Sequence, residues 1–147
     1  MSGQEHRPRV LVIDDDQDVV SYLESILNDN GYETVGTTDS AVGVDLARSI
    51  HPDLICLDIV MPPPTGVKVY RALRDDPALS RIPVVMITGV MQQFREFIHH
   101  RKKVPPPDGY IAKPFEIPEL LATLERILGA AVGSRHETVL ARHSELP

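Results

Sequence analysis

Five short runs of apolar and β-branched residues recur along the chain, at Val10–Ile13, Glu33–Thr37, Leu54–Leu57, Pro83–Ile87 and Tyr110–Ala112. Four of them are apolar at nearly every position instead of alternating, the pattern of strands covered on both faces. Between the runs, apolar residues recur at helical spacing. Val19, Val20, Leu23, Ile26 and Leu27 define a first helix that Gly31 can stop. Ser40–Ile50 reads as a second, capped by Asp39 or Ser40, and Gly66–Arg74 as a third. Phe94, Phe97, Ile98 and Arg101 line one side of a fourth. Leu120, Leu121, Leu124, Ile127 and Leu128 mark a fifth, with Pro118 in its first turn, where proline is tolerated.

Strand and helix alternate five times over short links. Each crossover is right-handed and returns to the same sheet, so the expected fold is a doubly wound α/β domain with helices on both faces. The expected strand order of the five-stranded parallel sheet is 2-1-3-4-5. One domain over residues 9–129 is expected, after a short tail (1–8) and before a terminal segment (130–147) in which Ser134–Glu137 fits a capping box. Two proline triplets, Pro62–Pro64 and Pro105–Pro107, fall in loops that they stiffen.

Composition narrows the function. A net charge of −6 over 147 residues argues against sequence-independent nucleic-acid binding, which needs a basic footprint. The one cysteine, Cys56, can form no internal disulfide and suits a reducing, cytoplasmic setting. The first nine residues lack the apolar centre of a signal peptide, and the longest uncharged stretch is too short to span a bilayer, so no membrane role is expected.

In the expected sheet, ligands bind at the carboxyl ends of the strands, where the strand order reverses. Asp14 and Asp15 end strand one, Asp58 strand three, Thr88 strand four and Lys113 strand five. Taken singly, each has an ordinary explanation: a turn, a cap or a solvated charge. Jointly, they converge on one rim. Three carboxylates together need a hard cation, and Mg²⁺ held by carboxylates, waters and a phosphate oxygen fits. A carboxylate can accept a phosphoryl group as an acyl phosphate. Asp58 stands alone on its strand end and is the expected acceptor, with Asp14 and Asp15 on the metal, Lys113 neutralising charge and the Thr88 hydroxyl donating to a phosphoryl oxygen.

With the strings "VLVIDDDQDV", "HPDLICLDIVMP", "VVMITG" and "GYIAKPF" in place, the chain resembles the receiver domains of two-component response regulators, a flavodoxin-like family, over roughly Pro8 to Leu128. The resemblance implies phosphorylation of Asp58 by a histidine kinase or phosphotransfer protein. It implies Mg²⁺ on Asp15 and Asp58, with Asp14 assisting and the Val60 carbonyl as a further ligand. It also implies a switch pair, Thr88 and Tyr110, that changes the face of the fourth helix, fifth strand and fifth helix for a downstream protein, with a second copy of the chain as another candidate partner. The chain departs from the family at "PPTG", where Pro63, Pro64 and Thr65 should stiffen the loop beside Asp58. The segment "MQQFREFIHHRKKVPPPDGY" also replaces the usual fourth helix and its exit.

Three further expectations follow. The basic run His99–Lys103 suits a helix end electrostatically, while Arg101, Lys102 and Lys103 are candidates for docking an acidic partner. The resemblance also implies that the positions two after Asp58 and Thr88 flank the path of the attacking water; here they are Val60 and Val90, which offer no group to orient it, so a long-lived phosphoryl-aspartate is expected. Two alternatives remain: a Mg²⁺-dependent phosphohydrolase resembling the haloacid dehalogenases, with Asp14 or Asp16 as nucleophile, and a phosphorylation-independent interaction module. A classical enzyme is not expected, and no Gly-rich nucleotide loop exists.

Overall fold

The computed structural model describes residues 7–89 and 106–129. The expected fourth helix (Phe94 to Arg101), the basic residues Arg101, Lys102 and Lys103, Val90, Pro105 and the capping box at Ser134–Glu137 lie outside these residues.

Five strands form one parallel sheet in the order β2-β1-β3-β4-β5. They are β1 (Arg9–Ile13), β2 (Glu33–Thr37), β3 (Leu54–Asp58), β4 (Val84–Thr88) and β5 (Gly109–Ala112). The helices are α1 (Gln17–Asp29), α2 (Ser40–Ile50) and α3 (Gly66–Asp75), and residues 117–129 form a helix labelled α4 here, the one expected as the fifth.

The two faces of the sheet explain the unbroken apolar runs. Val10, Val12, Cys56, Val85, Ile87 and Ile111 point to one side, where Val20, Leu23 and Leu27 of α1 and Leu120 and Leu124 of α4 cover them. Leu11, Ile13, Ile55, Leu57, Val84 and Met86 point to the other, against Ala47 of α2 and Val69, Tyr70 and Leu73 of α3. Strand side chains alternate in direction, so only a strand with helices on both sides needs apolar residues at every position. The central β3 and β4 are buried throughout, while the edge strands β2 and β5 are partly exposed. Burial pushes the Cys56 thiol up to about 12, so it is a core residue rather than a nucleophile.

The helix ends follow local chemistry. Asp16, Asp39 and Thr65 cap α1, α2 and α3, their side chains accepting from the N–H groups of Asp18, Ala41 and Lys68. Gly31, at φ +93°, takes the left-handed conformation just past α1, as its position in the pattern suggests.

One polar network opposite the rim was not expected from the sequence. The Arg74 guanidinium lies over the Tyr70 ring, 4.9 Å from its centroid. It donates to the Tyr70 hydroxyl, to the carbonyls of Ser80 and Ile82, and to Asp108 at 2.9 Å. Asp108 in turn accepts from the Val84 N–H. One side chain thus joins α3, the loop into β4 and the start of β5. Replacing it with methionine keeps the bulk but strands several acceptors, and an Arg74→Met loss of about 2 kcal/mol is expected in urea unfolding. An unchanged midpoint would contradict this.

Candidate functional site

The rim is built at the carboxyl ends of β1 and β3, neighbours in the sheet and the place where the order of the strands turns back. The three consecutive aspartates that end β1 do three different things. Asp14 is buried, its N–H bonded to the Thr37 carbonyl, and its Oδ1 accepts from the Asp16 N–H at 3.0 Å. Asp16 caps α1. Asp15 is exposed, and its carboxylate joins those of Asp14 and Asp58 in one cluster whose oxygens lie within 4.8 Å of one another.

Asp58 ends β3 and is only 5% exposed. Its Oδ1 accepts from the Val60 N–H at 3.2 Å. Burial, and next the nearby charge of Asp14, raise its pKa from 3.8 to about 6, while Lys113 and the Val60 N–H hold it down. Lys113 reaches across from the end of β5. Its ammonium donates to Asp14 Oδ2 at 2.8 Å and stands 3.8 Å from Asp58 Oδ2. Its own N–H donates to the Thr88 carbonyl at 2.8 Å.

Thr88 ends β4 and is fully buried, in register with Ala112 of β5. Asp58 is paired with Ile87, one residue before it. Tyr110 lies at the sheet edge, paired with Met86 and 53% exposed, and Val60, two residues after Asp58, is 45% exposed. The rim therefore gathers Asp14, Asp15, Asp58 and Lys113, with Thr88 on the adjacent strand end. The Pro63–Pro64 and Lys113–Pro114 peptide bonds are both cis.

The donor set fits a hard divalent cation. It is all oxygen, it carries three negative charges against one ammonium, and two of its carboxylates are nearly out of water, where like charges repel most strongly.

One requirement of this rim was invisible as a motif. A Cβ on Gly66 would sit 2.0 Å from the Asp58 carbonyl oxygen and 2.6 Å from Ile59 Cα. The start of α3 is thus pressed against the backbone of Asp58 and Ile59, leaving room for hydrogen only. Gly66→Ala must displace that loop, at a cost of about 3 kcal/mol, and thermal melts should show it. A tolerated alanine would contradict the close packing.

This fold, with an acidic rim at the carboxyl ends of its strands, defines a flavodoxin-like α/β domain, and comparison with known proteins gives its family. The family model of the response regulator receiver domain matches residues 10–125. The polar-differentiation response regulator DivK of Brucella ovis is 33% identical over 122 residues, covering 83% of this chain and 97% of that protein. The Vibrio cholerae chemotaxis protein CheY4 superposes with a TM-score of 0.74 at 28% identity, covering 83% of this chain and 99% of that one. A sensor protein from Polaromonas, at 21% identity and a TM-score of 0.77, shares the fold. The chain belongs to the response-regulator receiver domain family, a component of two-component signal transduction. Receiver domains are signalling modules rather than classical enzymes, and bind Mg²⁺ at an acidic cluster such as this one. The phosphohydrolase alternative is not favoured: its candidate nucleophiles Asp14 and Asp16 are engaged, one with Lys113 and the other with the start of α1. Among the described residues no helix is long and apolar enough to cross a membrane.

Proposed function

We propose that Asp58 accepts a phosphoryl group from a histidine kinase or phosphotransfer protein, and that the modified domain signals through a downstream protein. The observation that carries this reading is the convergence of Asp14, Asp15 and Asp58 with the Lys113 ammonium 3.8 Å from the acceptor.

Asp58, Asp15 and Asp14, with the Val60 carbonyl, would hold Mg²⁺, which when bound supplies positive charge against the phosphoryl oxygens. An Asp58 oxygen attacks phosphorus and forms the O–P bond of an acyl phosphate. The bond from phosphorus to the donor's imidazole nitrogen breaks, and its electron pair leaves with the donor. Lys113 is placed to follow the new charge, exchanging part of its contact with Asp14 for a phosphoryl oxygen. Thr88, buried on the next strand end, offers a hydroxyl to the same group. Drawing that hydroxyl inward frees space into which the Tyr110 ring can turn, so the surface around β5 and α4 changes and a partner can read it. Arg101, Lys102 and Lys103 are proposed to dock an acidic partner, and a second copy of the chain is a further candidate partner.

Acetyl phosphate with Mg²⁺ tests the reading: a mass gain of one phosphoryl group that disappears in chelator is expected, and an unlabelled protein would contradict it. Val60 and Val90 give water no general base, so the purified phosphoprotein should lose its label slowly. Rapid autodephosphorylation would contradict that assignment.

A further inference from the structure

We propose that Tyr22 and Phe115 form an aromatic brace that positions Lys113 against the carboxylates, an inference that rests on the functional reading above. The rings are 6.2 Å apart between centroids and tilted by 41°. Phe115 is partly buried and packs against the core cluster to which α1 and α4 contribute. Tyr22 is 49% exposed and lies off the inward stripe of α1, which is Val20, Leu23, Ile26 and Leu27. Core packing therefore does not account for an aromatic ring at this position, whereas its contact with Phe115 does.

The contact joins the same two segments as the ion pair. Asp14 to Asp16 lead into α1, which carries Tyr22, and Lys113 lies two residues before Phe115. The Lys113 N–H is bonded to the Thr88 carbonyl, but the next residue is Pro114, which has no N–H to anchor the loop further. A lysine side chain has several rotatable bonds, so its reach depends on where its Cα is held. At 3.8 Å from Asp58 the ammonium is poised rather than bonded, and a shift of about an ångström decides whether it meets a phosphoryl oxygen. The brace fixes that distance from the α1 side, and Tyr22 and Phe115 are positioning residues.

The test is the rate of labelling of the full chain by acetyl phosphate in saturating Mg²⁺. Tyr22→Ala should slow it about tenfold, Tyr22→Phe should restore it, and Tyr22→Ala should add no further loss in a Lys113→Met background. Amide exchange at Lys113, followed in metal-free protein, should quicken in Tyr22→Ala and stay normal in Tyr22→Phe. Unaltered labelling or exchange in Tyr22→Ala would overturn the brace, as would losses that multiply independently with Lys113→Met. A loss confined to transfer from a protein donor would also overturn it, assigning the rings to docking instead. A wild-type chain that takes no label would sink the functional reading and the brace with it. A labelled wild type with an unchanged Tyr22→Ala variant sinks the brace alone.

Discussion

Asp58→Asn is expected to abolish phosphoryl labelling and, unusually for an active-site change, to stabilise the metal-free protein. The amide keeps the shape of the side chain and its bond from the Val60 N–H but removes a charge that burial and Asp14 disfavour. The pH dependence follows from the direction of the shift. A carboxylic acid whose folded-state pKa lies near 6, above its ordinary 3.8, binds its proton more tightly in the folded chain. That contribution to stability is fully present below pH 3.8 and is lost as pH rises through 6. At neutral pH the ionised Asp58 therefore costs about 3 kcal/mol, which the asparagine removes. Melting temperatures measured in chelator should favour Asp58→Asn by about 9 °C at pH 7.5, with the gap closing towards pH 4. Added Mg²⁺ should narrow the gap from the other side, raising the wild type more than the variant. A variant less stable than wild type at neutral pH would contradict the electrostatic account of the rim.

Lys113→Met is expected to move stability the other way. The ammonium is paired at 2.8 Å with Asp14, whose side chain is only 3% exposed, and it also holds down the pKa of Asp58. Removing it leaves buried carboxylates without a counter-charge, a loss of about 3 kcal/mol in metal-free protein at pH 7.5. The loss should shrink in acid as Asp58 takes up its proton. Because the remaining cluster is one charge more negative, Mg²⁺ should bind about tenfold more tightly and recover much of the stability. Labelling by acetyl phosphate should nevertheless fall about a hundredfold or more, since no ammonium then meets the incoming charge. Tighter metal binding with slower labelling is the signature. Loss of both together would mean that Lys113 supports the fold of the rim more than its chemistry.

How far the sequence disclosed these features depended on whether a residue's chemistry matched its pattern. The strands were legible because both faces of the sheet are covered, leaving β1, β3 and β4 apolar at successive positions. The rim was legible because carboxylates and a lysine at three strand ends, with a threonine at a fourth, are costly to assemble unless a ligand is meant to lie among them. Arg74 was not, because an arginine in the last turn of an amphipathic helix is ordinarily solvated. Only the tertiary fold brings Ser80, Ile82 and Asp108 under its guanidinium. Gly66 read as a helix start, and nothing local announces that the backbone of Asp58 passes within reach of its missing Cβ. Tyr22 carried no signal at all, because its contact lies 93 positions away along the chain, at Phe115. Within the aspartate run, position on the strand end singled out Asp14 and Asp15, while the capping role of Asp16 went unread.

The central claim is that the phosphoryl group is carried by Asp58, and locating the modification tests it most directly. The acyl phosphate formed from acetyl phosphate and Mg²⁺ can be reduced with borohydride and the altered residue placed by peptide mass spectrometry. Reduction at position 58 and nowhere else is the expected result; a modified residue at Asp14, Asp15 or Asp16 would contradict it.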